Sequence, residues 1–170
     1  VMLHGTQQDN MKYVVDMQDQ IAADRNFIVA PGCDMPYAVP VENAIGAAQA
    51  VIQREETRRM VENYTSATFD IAVDLPDYAN LKKPLIEVFT LDSATCAACT
   101  YMMGAALKAK DHFGAKIDLV EYKFTLKENI ARCVKMGVKN LPSIYINGQL
   151  KFSSIIPSSE EFYGAIEAVM

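Results

Sequence analysis

Two cysteines separated by two alanines, Cys96 and Cys99, are the residues of this 170-residue chain whose type and spacing most clearly suggest chemistry. Thiols at this spacing on the first turn of a helix can close a disulfide with each other. The helix N-terminus also stabilises a thiolate at the leading sulfur, which makes that sulfur the better nucleophile. The pair is therefore predicted to form a thiol–disulfide redox site.

The same spacing has two other interpretations. It is half of a four-cysteine zinc site, although such a site needs a second pair, and Cys33 and Cys133 stand alone in the sequence. Alternatively, both thiols are ordinary small residues of a helix. The elements around the pair favour the redox interpretation.

These elements alternate between strand and helix patterns. Residues 85–89 predict a strand, and the helix after the pair places several apolar side chains on one face: Met102, Ala105, Ala106, Ala109 and Phe113. The pattern then predicts a strand at 116–124, a helix at about 125–136, two strands joined by Asn147-Gly148, and a helix from Ser158 with Glu161 in its capping box. The predicted order is β-α-β-α-β-β-α, an α/β fold.

With this order and the CxxC pair, residues from about 83 to 170 resemble the thioredoxin/glutaredoxin superfamily. The resemblance implies a thioredoxin-like fold in which Cys96 attacks and Cys99 resolves. It also implies that Pro142 takes the cis form before the third strand and shapes the substrate groove. Protein thiols or disulfides would be the partners, with no cofactor for this domain. The chain departs from the family at Thr95, where a tryptophan is usual, and in its longer loop before Cys96.

Within residues 83–170, Glu87, Pro142 and Cys133 also have interpretations without a catalytic role. Glu87 matches the buried acid that some family members use for proton transfer, but an acid on a half-exposed strand explains it as well. Pro142 is otherwise a proline at the entry of a strand. Cys133 is interpreted as a core residue of the second helix.

The first half of the chain has a different composition. Residues 1–80 carry five basic and twelve acidic side chains, whereas residues 81–170 carry eleven basic and nine acidic ones, which indicates two units. Neither half has a basic cluster suited to nucleic acid, and no apolar run or signal peptide indicates a membrane span or export. Two lone cysteines and one CxxC pair are typical of a cytoplasmic protein.

The first half predicts an incomplete α-β-α segment. Residues 7–21 have the pattern of a helix, residues 26–30 that of a buried strand, and residues 41–66 that of a long helix. One strand cannot form a closed sheet, so the expectation is a fragment whose missing part supplied most of a larger α/β domain. Without that part, self-association is expected through uncovered apolar residues: Met11, Val15, Phe27 and Ile45.

Two motifs in residues 3–67 carry a second resemblance. Leu3-His4-Gly5-Thr6 and the later Ala30-Pro31-Gly32-Cys33-Asp34 look like the C-terminal end of a uroporphyrinogen decarboxylase-like (β/α)8 barrel. The second motif is similar to the branch of zinc-dependent, corrinoid-linked methyltransferases. That resemblance implies Cys33 as a zinc ligand in the intact barrel only, because the other ligands belong to an upstream motif that this sequence lacks.

Together the patterns predict a barrel fragment at 1–67, a linker at 68–82 and a thioredoxin-like domain at 83–170. The expected function is a thiol–disulfide redox domain appended to a methyltransferase of the uroporphyrinogen decarboxylase-like family. A corrinoid protein is then a further candidate partner. Two other hypotheses stay open: a metal-binding or delivery module that uses the CxxC pair, and a non-catalytic docking domain of the methyltransferase.

Overall fold

The computed structural model describes residues 1–21, 27–32, 35–66 and 71–170. The chain divides into two units, Val1–Thr68 and Phe69–Met170. No helix within the described ranges is both long and apolar enough to cross a lipid bilayer.

The described part of the N-terminal unit is helical. Its helices are α1 (Gln7–Ile21), α2 (Val41–Ile52) and α3 (Arg54–Val61). They bury a small apolar core that consists of Met11, Val14, Val15, Ala50 and Val61. The prediction of a helix at residues 7–21 is confirmed, and the burial of one apolar face is what stabilises such a helix.

Residues 26–30 were expected to form a buried strand, and this prediction is wrong wherever the structure describes them. Residues 27–30 are irregular, and Phe27 and Ile28 are 38% and 85% exposed. A strand is stable only when other strands pair with it. The described residues of this unit contain no strand, so the barrel segment predicted for residues 1–67 is not shown.

The expectation that four apolar residues stay uncovered is wrong for two of them. Met11 and Val15 are buried in the helical core, whereas Ile45 is half exposed. The helices cover α1 closely because Gly46 of α2 has no side chain. A Cβ added at Gly46 would lie only 2.7 Å from Cγ of Gln7.

The long helix expected at residues 41–66 is in fact two helices. The break is at Gln53, whose backbone (φ −121°, ψ 51°) is not helical. Beyond this break, two arginines of α3 contact α1: Arg54 Nη2 donates to Asp19 Oδ1 at 3.0 Å and Arg58 Nη1 donates to Asp19 Oδ2 at 2.8 Å. The hydrogen bond from Arg58 is the main cause that holds the pKa of Asp19 below its usual range, followed by that from Arg54.

The C-terminal unit contains a four-stranded mixed sheet. Its elements in chain order are β1 (Leu85–Thr90), α4 (Ala97–Phe113), β2 (Asp118–Lys123), α5 (Lys127–Met136), β3 (Ser143–Ile146), β4 (Gln149–Ser153) and α6 (Ser159–Glu167). β1 is parallel to β2 and antiparallel to β3, and β3 is antiparallel to β4. The spatial order is β2-β1-β3-β4, and the chain order β-α-β-α-β-β-α is the predicted one.

Helices cover both faces of this sheet. α4 and α6 pack on one face, where the core includes Ile86, Val88, Met102, Ile144, Phe162 and Ile166. α5 packs on the other face, where Cys133 lies with Phe89 and Tyr145. Because neighbouring residues of a strand point to opposite faces, β1 contributes alternate side chains to the two layers.

Two local signals of the sequence are confirmed in this unit. Asn147 and Gly148 join β3 to β4 with positive φ at both positions (50° and 75°), as a tight hairpin of this type requires. Ser158 is the N-cap of α6 and forms the capping box with Glu161. The turn between β3 and β4 and the start of α6 are therefore each defined by residues that are close in the chain.

Candidate thiol site

Cys96 and Cys99 lie at the start of α4, and both are thiols. Cys96 is the N-cap residue and has an extended backbone (φ −101°, ψ 115°), while Cys99 lies on the first turn of the helix. The two residues are 8% and 0% exposed, respectively. The N-cap cysteine is therefore the more accessible of the two.

Hydrogen bonds from the loop and from the helix hold both cysteines. The Leu91 N–H donates to Cys99 Sγ at 3.3 Å, and the Cys96 N–H donates to the carbonyl oxygen of Asp92 at 2.9 Å. Thr100 donates its N–H and its hydroxyl to the carbonyl oxygen of Cys96, at 2.8 and 3.0 Å. The backbone of Cys96 is thus fixed on both of its sides.

Pro142 directly precedes β3, and the Leu141–Pro142 peptide bond is cis. The next residue, Ser143, pairs with Phe89 in the antiparallel β1–β3 ladder. β1 continues from Phe89 into the loop that carries Cys96. Pro142 and the cysteine pair therefore lie at the same edge of the sheet.

Cys33, the zinc ligand implied by the barrel resemblance, lies outside the described residues. Zinc sites in proteins usually need at least three cysteine, histidine or carboxylate ligands. Within residues 1–21, 27–32, 35–66 and 71–170, no three such side chains come together. The described chain thus offers Cys96 and Cys99 no third ligand of these types.

Cys133 is buried on α5, on the face of the sheet opposite to α4. Its prediction as a core residue of the second helix is confirmed. Burial raises the pKa of its thiol to about 11. At neutral pH this thiol is protonated and is a poor nucleophile, so it cannot substitute for a cysteine of the CxxC pair.

Glu87 is fully buried on β1, so the half-exposed interpretation is wrong. Tyr78, in the segment before β1, donates its hydroxyl to Glu87 Oε1 at 3.0 Å. Burial raises the pKa of Glu87, and the hydrogen bond from Tyr78 and the charge of Arg132 offset only part of that rise. The burial of Glu87 fits the acid expected from the thioredoxin resemblance, and its role in proton transfer stays a prediction.

Glu87→Gln is expected to remove a pH dependence of stability. Because the fold raises the pKa of Glu87 above its ordinary value of 4.5, the folded state holds the proton more tightly than the unfolded chain does. The contribution of the neutral carboxyl to stability is complete below that ordinary value and is lost as the pH rises. Gln keeps an oxygen for the Tyr78 hydroxyl and cannot ionise.

Urea denaturation at several pH values measures this effect. The difference in unfolding free energy between Glu87→Gln and wild type should shift in favour of the variant from about pH 4 to about pH 8. A difference that is the same at both ends of this range would contradict the assignment of a raised pKa to Glu87.

Two polar residues of β2, Glu121 and Lys123, contact the loop after β1, and no motif in the sequence marked them. Glu121 Oε1 accepts hydrogen bonds from the Thr90 hydroxyl at 2.6 Å and from the Ser93 N–H at 3.1 Å. Lys123 Nζ pairs with Asp92 Oδ1 at 2.7 Å. Residues two apart on a strand share a face, and this spacing of opposite charges is the signal that could have found them.

Comparisons with known proteins concern the C-terminal half of the chain. No protein-family model matches the chain. A probable thioredoxin of Methanothermobacter thermautotrophicus is 36% identical over 85 residues, which are 50% of this chain and 94% of that protein. A probable thioredoxin of Methanothermobacter marburgensis is 36% identical over 81 residues, which are 48% of this chain and 89% of that protein.

Two solved structures also match about half of this chain. The structure of a malarial protein covers 52% of this chain and 99% of its own, with 23% identity and a TM-score of 0.42. Thioredoxin-2, described as a component of the malaria parasite protein secretion machinery, covers 52% of this chain and 86% of its own, with 26% identity and a TM-score of 0.42.

Proposed function

The chain belongs to the thioredoxin family through its C-terminal half, and we propose that this half catalyses thiol–disulfide exchange with protein substrates. One observation carries the proposal: Cys96 is the N-cap of α4, and Cys99 follows on its first turn. The N-terminus of a helix presents positive electrostatic potential, which favours a thiolate at the cap position.

The reaction in the reducing direction has two steps. The Cys96 thiolate attacks one sulfur of a substrate disulfide, so that a mixed disulfide forms and the other substrate sulfur leaves as a thiolate that takes a proton from water. Cys99, after losing its proton, attacks the Cys96 sulfur and releases the second substrate thiol. The Cys96–Cys99 disulfide forms, two electrons pass to the substrate, and the reverse sequence oxidises a substrate dithiol.

Pro142 supports the proposal from the edge of the sheet that carries the cysteines. A proline has no backbone N–H and cannot continue a strand ladder. The neighbouring backbone groups can then pair with an extended segment of a substrate protein. We assign Pro142 to the groove that binds the substrate next to Cys96.

The wider function expected for the first half stays a prediction. The curated relatives match about half of the chain, and the described part of the N-terminal unit is helical. A methyltransferase of the uroporphyrinogen decarboxylase-like family, with zinc at Cys33 and a corrinoid protein as partner, therefore rests on the sequence resemblance alone. A cytoplasmic location is proposed from the redox chemistry, because that compartment keeps such thiols reduced.

Reduction of insulin disulfides by dithiothreitol tests the proposed exchange. The full chain should accelerate insulin precipitation at concentrations far below that of insulin, because each mixed disulfide is resolved and the pair turns over. If the protein gives no acceleration over dithiothreitol alone, thiol–disulfide exchange is not its function. A native mass that then includes zinc or copper would favour the metal-binding hypothesis, and one without metal the docking hypothesis.

A further inference from the structure

One carboxylate oxygen of Glu121 on β2 contacts both the end of β1 and the loop between β1 and α4. Glu121 Oε1 accepts from both the Thr90 hydroxyl (2.6 Å) and the Ser93 N–H (3.1 Å). Thr90 is fully buried, and a buried hydroxyl needs a hydrogen-bond partner inside the protein. Glu121 therefore joins the end of β1 to the middle of the loop.

The same stretch of loop is held from the helix. The Thr100 hydroxyl of α4 donates to the carbonyl oxygen of Ser93 at 2.6 Å and also to that of Cys96 at 3.0 Å. The peptide groups of Ser93 are thus fixed through their N–H by Glu121 and through their carbonyl oxygen by Thr100. Loss of the Glu121 carboxylate would remove the acceptor of the Ser93 N–H, and the peptide groups of Ser93 would then be held only at the carbonyl oxygen.

A second contact between β2 and the loop leads directly to Cys96. Lys123 pairs with the carboxylate of Asp92 at 2.7 Å. Asp92 in turn accepts the Ala94 N–H at its carboxylate and the Cys96 N–H at its carbonyl oxygen, both at 2.9 Å. The contacts of β2 with the loop therefore reach the backbone of the N-cap cysteine.

We propose that Glu121 is a positioning residue for Cys96, which it keeps within reach of Cys99 by fixing the loop backbone at Ser93. Cys99 lies within the regular helix, whereas Cys96 is held by that helix only at its carbonyl oxygen and by the loop at its N–H. The equilibrium that closes a disulfide depends on the effective concentration of one thiol at the other, and this falls when one thiol moves more freely. The inference rests on the proposed thiol–disulfide exchange for its effect on turnover.

Three single variants of the full chain separate the effect of the Glu121 hydrogen bonds from the effect of its charge. Glu121→Ala removes the acceptor, and Glu121→Gln keeps an oxygen that can accept both hydrogen bonds. Asp118→Ala is the matched control, because this carboxylate of the same strand pairs with Lys83 at 2.8 Å. Asp118 lies at the opposite end of β2, where it pairs with Leu85.

Two quantities are measured for each variant. The first is the equilibrium constant for forming the Cys96–Cys99 disulfide with oxidised glutathione, and the second is the rate at which iodoacetamide alkylates Cys96. Glu121→Ala should lower the equilibrium constant about tenfold, which raises the reduction potential by about 30 mV. It should also speed alkylation of Cys96 at least about threefold, because a freer loop exposes the sulfur. Glu121→Gln and Asp118→Ala should stay within about twofold of wild type.

Unchanged values of both quantities in Glu121→Ala would overturn the inference. A loss in Glu121→Gln as large as that in Glu121→Ala would also overturn it, because the charge rather than the hydrogen bonds would then matter. If wild type forms no disulfide, the proposed function fails, and the alkylation rates alone decide the positioning role. If Glu121→Ala does not fold, Thr90→Val, which removes one donor and keeps the side-chain shape, decides by the same measures with an expected change of about threefold.

Discussion

Cys96→Ser is expected to lower the catalysed rate of insulin reduction by about 10³-fold or more, to near the rate with dithiothreitol alone. A serine hydroxyl is not ionised at neutral pH and forms no disulfide, so the first bond of the exchange cannot be made. The variant should keep its fold, because residue 96 is the N-cap of α4 and serine is favoured at that position. Initial rates of insulin precipitation measure the effect.

Two other cysteine variants serve as controls for this result. Cys133→Ala should stay within about twofold of the wild-type rate, because a buried thiol with a raised pKa takes no part in exchange. Cys99→Ser should turn over slowly and should accumulate an insulin chain linked to Cys96, which mass spectrometry detects. A Cys96→Ser variant that retains about a tenth of the wild-type rate or more would contradict the role of Cys96 as the attacking thiol.

Phe162→Ala is expected to destabilise the C-terminal unit by about 3–5 kcal/mol. Phe162 of α6 is 1% exposed in the core beside the sheet, and its ring meets that of Phe152 edge-on with centroids 5.6 Å apart. Truncation to alanine leaves a cavity that close-packed neighbours fill only in part. Because a small domain is stable by only about 5–15 kcal/mol, this loss is a large share of the total.

Urea unfolding followed by pulse alkylation of Cys133 measures the stability of this unit, because Cys133 is 2% exposed within it. Ile155→Ala is the matched control. Ile155 is 76% exposed, so its truncation should change the unfolding free energy by no more than about 0.5 kcal/mol. A cost below about 1 kcal/mol for Phe162→Ala would show that the core around α6 is not closely packed.

Local patterns predicted most of the C-terminal unit. Asn147-Gly148 defines a hairpin, and Ser158 with Glu161 defines a helix start, because each acts on its own neighbours in the chain. The alternation of strand and helix periods likewise predicted the order of the elements. This order alone was enough to predict that the CxxC pair lies at the start of a helix.

Features that depend on contacts distant in the chain were not predictable in this way. Residues 26–30 have the composition of a strand, but pairing depends on other strands rather than on local sequence. The hydrogen bond between Glu121 and Thr90 joins residues 31 apart and exists only in the observed β1–β2 register. Neither the pairing of a strand with distant strands nor this register can be read from a local pattern.

A redox titration of the full chain in glutathione buffers tests the central claim most directly, with the state of Cys96 and Cys99 measured by mass after alkylation. We predict one two-electron transition with a midpoint between about −300 and −120 mV, the range of known thiol oxidoreductases. A midpoint near the lower end would make the domain a reductant, and one near the upper end an oxidant. Failure of the two cysteines to form a disulfide with each other, or their protection by a bound metal, would contradict the account.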